Sequence, residues 1–300
     1  MRTKKRAKQV GFFGKLLAML PVSCVLLYPI YLAAQLDTVY ETYASPELPE
    51  AFDGLKIAFV SDIHSGSLFK EKRVRDLVKR VNDLGADIIL LGGDYGEDSA
   101  GAMDFFELRP AFQAKIAVLA TVGNHDRTLP ESNFPKLLRL IKRENIIPAV
   151  NDAWMLKKDG KTLAFASTDD FYNGIPSLRK VERLCRNADF TVFFPHSPDL
   201  LPLTYTLSEK SFFQLAVCGH THGGQVSILG HAIKSSSDYG DRFLSGWYRE
   251  NGADILVSNG VGTSGLPVRL GARPQIHLIT LKMSETDHST VARRISKGSN

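Results

Sequence analysis

The stretch that decides the fold is KIAFVSDIH, residues 56–64. After Lys56 it runs through four apolar residues, which is typical of a buried β-strand. The apolar run stops at Ser61, and a carboxylate and an imidazole follow at Asp62 and His64. Ligands of open α/β sheets bind beyond the carboxyl ends of the strands. This one segment therefore predicts a buried strand with a polar site at its end.

The same pattern recurs along the chain. Seven further apolar runs predict buried strands: DIILLG (87–92), KIAVLATV (115–122), TLAFAS (162–167), DFTVFF (189–194), QLAVCG (214–219), DILVSN (254–259) and IHLITL (276–281). Apolar residues at helical spacing predict helices over 74–84, 134–145 and 178–187. We expect Gly85 to end the first and Ser177 to cap the third. This alternation, without a 20–50-residue repeat, predicts a layered α/β fold.

Composition narrows the class of protein further. The chain has 300 residues, of which 44% are hydrophobic and 23% charged, so a folded globular domain is expected rather than disorder or a fibre. The three cysteines, Cys24, Cys185 and Cys218, lie far apart and form no C-x-x-C pair. A disulfide framework and a thiolate zinc site are both excluded by this spacing.

The net charge of +5 belongs to the N-terminus. Six of the 37 basic side chains fall within residues 1–36, which hold no acidic one, so the rest of the chain carries 31 basic against 32 acidic side chains. Because the positive and negative charges of that part nearly cancel, the composition does not indicate a nucleic-acid-binding domain.

Residues 16–36 form an uncharged run of 21 residues. As a helix this run would span about 31 Å, close to the bilayer core of about 30 Å, so it predicts a single transmembrane anchor. The basic residues 1–15 would stay in the cytoplasm by the positive-inside rule, which places the folded domain on the extracytoplasmic side of the cell membrane. A cleaved signal peptide and a buried core helix are the alternatives, although the apolar region of a signal peptide is usually only about 7–15 residues.

The remaining boundaries follow from this interpretation. We expect residues 37–53 to be a linker, because they contain two prolines and several acids. Residues 54–282 would form the folded domain, and residues 283–300 a frayed tail.

Five short polar clusters follow the predicted strands, and they hold five of the eight histidines: SDIH (61–64), GGD (92–94), GNHD (123–126), PHS (195–197) and GHTHGG (219–224). Carboxylates, an amide and imidazoles suit Mn, Fe, Zn or Co, whereas a structural zinc site would use thiolates. One oxygen of Asp94 could face each of two ions about 3.5–4 Å apart. Such a pair activates water and neutralises charge on a phosphate, so the clusters indicate phosphoryl chemistry.

In this order the clusters resemble the pattern of the calcineurin-like metallophosphoesterases, which is D-x-H, GD, GNH(D/E), H and GHxH. The resemblance covers about residues 54–282. It implies a four-layer α/β/β/α sandwich of two mixed sheets, preceded here by one N-terminal transmembrane helix. It also implies two divalent metal ions, Mn²⁺ first among them, with Fe, Zn or Co as the other options.

The resemblance assigns roles to individual residues. Ligands of the first metal would be Asp62, His64, Asp94 and His222, and ligands of the second would be Asp94, Asn124, His196 and His220, with Asp94 bridging. His125 would lie over the scissile phosphate and stabilise its charge or protonate the leaving oxygen. Asp126 would orient His125.

Two further stretches, GHTHGGQ (219–225) and NGVGTSGLPVRLGARPQIHLITL (259–281), resemble a narrower branch of anchored or exported bacterial phosphodiesterases. Some members of that branch are UDP-diacylglucosamine pyrophosphatases. Residues expected to contact substrate are Asp170, Arg269 and Arg273. Asn259 and Gln275 depart from the Arg and Glu that many relatives of this branch have, and both lie outside the metal set.

Together these features predict a dinuclear-metal phosphoesterase at the membrane that hydrolyses a phosphodiester or pyrophosphate bond by attack of a metal-activated water. Its partner would be a phosphate-ester substrate, lipid-linked ones included, and the oligomeric state stays open. One alternative is a UDP-2,3-diacylglucosamine pyrophosphatase of lipid A synthesis, although that substrate is made on the cytoplasmic side. The other is a non-catalytic scaffold, which the complete ligand set disfavours.

Overall fold

Two mixed β-sheets form the centre of the fold in a computed structural model that describes residues 27–66, 69–128, 133–207, 210–285 and 288–296. The strands are β1 (Asp37–Ser45), β2 (Lys56–Val60), β3 (Ile88–Leu91), β4 (Ala117–Ala120), β5 (Ile147–Pro148), β6 (Asp152–Lys158), β7 (Lys161–Ser167), β8 (Phe190–Phe193), β9 (Leu215–Cys218), β10 (Ser227–Ile228), β11 (His231–Ala232), β12 (Gly246–Glu250), β13 (Ala253–Val257), β14 (Gln275–Met283) and β15 (Thr290–Ser296).

The first sheet has the strand order β15-β1-β14-β2-β3-β4-β5, and the second has the order β12-β13-β9-β8-β7-β6. A small hairpin pairs β10 with β11. The helices are α1 (Glu71–Asp83), α2 (Ser99–Leu108), α3 (Phe134–Arg143), α4 (Leu178–Cys185) and α5 (Leu201–Thr204).

Alternation along the strands produces four layers. In β2, Ile57 and Phe59 point into the core between the sheets, whereas Ala58 and Val60 point into a core shared with α1, α2 and α3. A third core lies on the outer face of the second sheet, where Ala164 packs with residues of α4 and α5. The order is therefore helices, sheet, sheet, helices, and the predicted architecture of two mixed sheets is confirmed.

All eight predicted strands are present, and so are the three predicted helices. Gly85 follows α1 in a left-handed conformation, as expected of a helix end. Ser177 occupies the position before α4, but its side chain makes no capping hydrogen bond. Helix α2 was not predicted. Its sequence, SAGAMDFFEL, mixes small and apolar residues without a clear polar face, and Asp98 caps it by accepting from Ala100 N and Gly101 N.

The predicted linker is wrong, because residues 37–45 form β1 inside the first sheet. This strand pairs in parallel with β14 over nine residues and antiparallel with β15. Its acidic residues misled the interpretation, since Glu41 is buried and meets His277 Nδ1 at 3.0 Å and Trp247 Nε1 at 2.9 Å. A buried charge with such partners is stable inside a core.

The predicted frayed tail is likewise wrong over residues 290–296, which form the edge strand β15. All seven residues are exposed, so the strand lacks the apolar run that would reveal it. The last four residues of the chain lie outside the described ranges.

The end of the predicted anchor packs against the domain. Residues 27–33 are helical, and Leu32 and Ala33 are buried. The carbonyl of Pro29 accepts a hydrogen bond from Arg269 N at 2.9 Å. In the part of the chain that the structure describes, no helix has the length and apolar character to cross a bilayer. The predicted cytoplasmic residues 1–15 and residues 16–26 of the predicted anchor lie outside the described ranges.

A fragment that begins at residue 54 should fail to fold. It would lose Val39, Tyr43, Leu48 and Phe52, four buried apolar side chains that contribute roughly 1.5–3 kcal/mol each. That loss is comparable with a whole domain's stability of about 5–15 kcal/mol. We expect the fragment 54–282 to be insoluble or to unfold without a cooperative transition, whereas 34–300 should unfold cooperatively in urea. Equal midpoints for the two fragments would contradict the role given to β1.

Candidate active site

The five polar clusters converge at one edge of the two sheets. Strands β2, β3 and β4 are parallel neighbours in the first sheet, and β8 and β9 are parallel neighbours in the second, so their carboxyl ends face the same cleft. The backbone N–H of His220 donates to Asp62 Oδ1 at 2.9 Å across 158 residues of sequence. The strand ends thus bring together residues that the sequence separates.

Backbone geometry at this edge is unusual. Five non-glycine residues of the clusters adopt left-handed φ angles: Asp62 (54°), His64 (47°), Asp94 (55°), His220 (70°) and His222 (54°). Such conformations are uncommon for non-glycine residues and concentrate at functional sites. Glycines allow the close approach of the loops, because a Cβ at Gly123 would overlap Asp94 and His196. A Cβ at Gly219 would overlap Asp62.

One set of ligand-type atoms consists of Asp62, His64 and His222. The Nε2 atoms of the two rings face each other at 3.0 Å, and His222 Nε2 lies 3.8 Å from Asp62 Oδ1. All three side chains are buried. Two imidazole nitrogens and a carboxylate gathered in this way could hold a divalent cation.

A second set consists of Asp94, His196 and His220. Asp94 Oδ2 lies 3.2 Å from His196 Nε2 and 3.7 Å from His64 Nε2, so this one oxygen stands between the two sets. Asn124 Oδ1 lies 3.0 Å from His220 Nδ1 and adds an amide oxygen to the second set. The arrangement could hold two ions on either side of Asp94.

His125 is less buried than these residues and belongs to a third set, with His64 and Asp94. Its backbone N–H donates to Asp94 Oδ1 at 2.9 Å. Its ring Nδ1 lies 2.8 Å from the carbonyl oxygen of Glu97, which can only accept, so Nδ1 carries the proton of this bond. The other ring nitrogen, Nε2, is thereby left for substrate or for a metal.

Burial and neighbouring charges shift the pKa values of several groups in the cleft. Burial lowers the pKa of His64, and burial together with the charge of Arg269 lowers the pKa of His222 well below its usual value. Burial opposes ionisation of Asp94, but His196, His64 and His125 outweigh it and hold the pKa of Asp94 below its usual range. A carboxylate held ionised in a buried cleft needs positive charge nearby, which a divalent cation would supply.

Asp126 has a different task from the one predicted. Its carboxylate accepts from Asp94 N at 2.7 Å, Gly123 N at 2.8 Å and Tyr95 N at 3.0 Å, while the ring of His125 is oriented by Glu97. Burial and the charge of Asp94 raise the pKa of Asp126 to about 7. Asp126 therefore positions the turn that carries Asp94, and the expectation that it orients His125 is wrong.

The predicted substrate contact of Arg269 is wrong, because its side chain is fully buried and engaged by protein groups. Asp170 is also buried, but its Oδ1 has no hydrogen-bond partner among the described residues, so its contact with substrate stays a prediction. Asp170 Oδ2 accepts from Tyr172 N at 2.9 Å and Asn173 N at 2.6 Å. Arg269 is fully buried, and its guanidinium donates to His222 O at 2.6 Å and to His222 Nδ1 at 2.8 Å. Arg269 thus fixes the orientation of the His222 ring.

The third predicted contact, Arg273, is partly exposed. Its Nη2 is 2.8 Å from Asp37 Oδ1 at the start of β1. This ion pair ties the loop that carries Arg273 to the first sheet, and the structure does not bring Arg273 to the residues of the cleft.

The sequence did not reveal the groups that surround His220. Tyr172 stacks on the ring with centroids 5.0 Å apart, and His220 Nε2 lies 3.2 Å from the carbonyl oxygen of Ser236. Asn173 Nδ2 donates to Asn124 O at 2.9 Å. These contacts come from loops and main-chain carbonyls, which leave no spacing pattern in a sequence.

Buried carboxylates, an amide and imidazoles at the ends of strands in two facing mixed sheets define a metal-dependent phosphoesterase type of site. The family described as calcineurin-like phosphoesterase matches residues 55–224, more than half of the chain. The chain belongs to this family, and it is a hydrolase that acts on phosphoric ester bonds.

Relatives extend the match beyond the family region. A protein named uncharacterized metallophosphoesterase YkuE, from Bacillus subtilis, is 27% identical over 91% of this chain and 95% of its own length. A Danio rerio protein named transmembrane protein with metallophosphoesterase domain is 25% identical over 94% of this chain and 66% of its own. Among solved structures, a dimetal phosphatase from Danio rerio covers 76% of this chain and 99% of its own at a TM-score of 0.44 and 12% identity.

Proposed function

We propose that this chain hydrolyses a phosphodiester or pyrophosphate bond with two divalent ions bound at the edge of the sheets. The observation that carries the proposal is the position of Asp94 Oδ2, within 3.7 Å of His64 Nε2 and 3.2 Å of His196 Nε2. A bridging carboxylate between two sets of ligands is what a two-metal phosphoesterase requires.

The residues present fit a pair of ions. Within the described part of the chain, Asp62 Oδ2 is a buried atom without a hydrogen-bond partner, and His196 Nε2 meets only the carboxylate of Asp94. Buried polar atoms left unpaired are costly, and coordination would satisfy both. In this proposal Asp62, His64 and His222 hold the first ion, His196, His220 and Asn124 hold the second, and Asp94 bridges them.

The ions would polarise the phosphate oxygens and lower the pKa of a water molecule in the cleft. The protein's own contribution is to position and to transfer a proton. His125 keeps Nδ1–H on the Glu97 carbonyl, so in the doubly protonated ring the Nε2–H can stabilise charge on the phosphate or pass its proton to the leaving oxygen. Asp126 and Arg269 hold the ligands Asp94 and His222 in place.

Mn²⁺ is the first choice of metal in this proposal, with Fe, Zn or Co as the alternatives. The ligand set consists of carboxylate, amide and imidazole groups without thiolate. Such a mixture of hard and borderline ligands suits these ions.

We also propose that the enzyme lies at the cell membrane, held there by the part of the uncharged run 16–36 that precedes the segment packed on the domain, with the N-terminus in the cytoplasm and the domain outside. The uncharged run and its basic flank support this, and two relatives are named transmembrane proteins. The stretch 259–281 supports membership of the anchored bacterial branch. A phosphate ester at the membrane, such as a lipid-linked one, is then the natural substrate.

The direct test uses the full chain in dioleoylphosphatidylcholine vesicles with bis-p-nitrophenyl phosphate. We expect hydrolysis after addition of Mn²⁺, complete loss of activity with excess chelator, and recovery when Mn²⁺ is returned. Activity that survives exhaustive chelation, with no metal detected in the protein by mass spectrometry, would refute the two-metal proposal.

A further inference from the structure

An apolar cavity of about 560 Å³ opens directly beside the proposed metal site. His222 forms part of its wall, so the cavity and the ligand cluster share a residue. Its apolar lining comes from Val226, Ile233, Leu266 and Val268. A volume of this size is within the usual range of about 300–1,000 Å³ for ligand pockets.

The mouth of the cavity exposes large apolar side chains. Ile233 and Leu266 are each 69% exposed, and Leu229, at the tip of the β10–β11 hairpin, is 96% exposed. Ser227 N in the hairpin donates to Leu270 O, which joins the hairpin to the segment that carries Leu266 and Val268. Large apolar side chains exposed at and beside a cavity are typical of a site of interaction with a partner or a membrane.

The same wall meets the end of the uncharged N-terminal run. Arg269, next to Val268 in the cavity wall, donates its backbone N–H to Pro29 O. Around Pro29, Leu27, Tyr28 and Tyr31 are more than half exposed. The cavity wall at Val268 therefore lies next to the end of the uncharged run.

We propose, on the basis of the phosphoesterase function above, that this cavity binds the acyl chain of a lipid phosphoester whose phosphate lies at the metal-ligand cluster. The shared His222 places the apolar and the reactive parts of such a substrate side by side. Lys234, exposed at the cavity mouth, adds a positive charge where anionic headgroups would lie.

The alternative occupants are less consistent with these features. A water-soluble phosphodiester would gain nothing from Ile233, Leu266 and Leu229, whose exposure to water serves no purpose in a soluble enzyme. An acyl chain drawn from a bilayer next to Pro29 would cover these side chains and enter the cavity along Ile233 and Leu266.

The test compares two substrates with one reactive centre, methyl p-nitrophenyl phosphate and dodecyl p-nitrophenyl phosphate. The full chain is assayed with Mn²⁺ in dioleoylphosphatidylcholine vesicles, and kcat/KM is measured for both esters. Partitioning into the vesicles favours the dodecyl ester for every variant alike. The quantity of interest is therefore the change in the dodecyl-to-methyl ratio between wild type and variants.

We expect Ile233→Asn and Leu266→Asn each to lower this ratio by about tenfold, since buried methylenes carry the preference. The matched control is Ile116→Asn. Ile116 is 48% exposed and lies before β4, at the opposite end of the strand from the cleft, so its variant should keep the wild-type ratio. Unchanged ratios in the two cavity variants would overturn the proposal.

A second readout does not depend on turnover. A dodecyl phosphate carrying a diazirine near the end of its chain should crosslink to residues 226–234 or 264–268 in metal-free protein. Crosslinks outside these residues would also overturn the proposal. The same holds if residues 16–26 or a second copy of the chain cover the cavity. If wild type hydrolyses neither ester while the probe still labels the cavity, the proposed function fails and the lipid site remains.

Discussion

Replacing Asp94 with Asn is expected to lower kcat/KM for bis-p-nitrophenyl phosphate by about 10³-fold or more, the largest effect of any single change in the cleft. The carboxylate lies between His64 and His196 and is held ionised by the imidazoles around it. An amide is neutral, so it places no negative charge between the two ions. Both ions should therefore bind more weakly, and metal analysis should find fewer than two per chain.

The control for this prediction is Asp254→Asn. Asp254 is also partly buried, and its Oδ2 accepts from Tyr43 OH at 3.1 Å, but it lies at the start of β13, away from the cleft. This variant should keep both ions and full activity. Two ions per chain in Asp94→Asn, or equal metal loss in the two variants, would contradict the bridging role.

The sequence was most informative where strands are buried on both faces. β2 and β3 are continuous apolar runs because one face meets the helices and the other meets the second sheet. β1 gave no such signal, because Glu41 lies in its middle and is stabilised by His277, Trp247 and Arg293 from distant parts of the chain. Contacts between residues so far apart in the sequence cannot be inferred from a local sequence pattern.

The candidate site shows the same limit. Spacing indicated which side chains would gather at the strand ends, and the structure brings all the predicted ligand residues into one cleft. The spacing of the motifs along the sequence could not show which way a carboxylate side chain points. Asp126 follows His125 in the chain, but it turns inward to three backbone N–H groups. Arg269 was expected to meet phosphate, yet it is buried behind His222. Both act through a neighbouring ligand.

The position of His125 allows two roles that one experiment can separate. Its ring belongs to a set of ligand-type atoms with His64 and Asp94, so it could bind an ion. Its Nδ1 is held by Glu97 O and its ring is less buried than the others, which favours a role at the phosphate instead. We expect the second role, in which loss of the His125 ring lowers the rate of hydrolysis but leaves the metal content unchanged.

Replacing His125 with Ala should lower kcat by about 10²–10³-fold while both ions stay bound. The matched comparison is His64→Ala, since the two ring centroids are only 4.7 Å apart. That variant should lose metal, because His64 faces His222 Nε2 and Asp94 Oδ2.

The leaving group provides the decisive measurement. If His125 protonates the leaving oxygen, its loss should cost more with phenyl phosphodiesters than with p-nitrophenyl ones, because p-nitrophenolate departs without a proton. Equal losses with both leaving groups would assign His125 to charge stabilisation on the phosphate alone. Loss of an ion from His125→Ala to the extent seen in His64→Ala would instead make His125 a ligand, and the proton would then have to come from another group in the cleft.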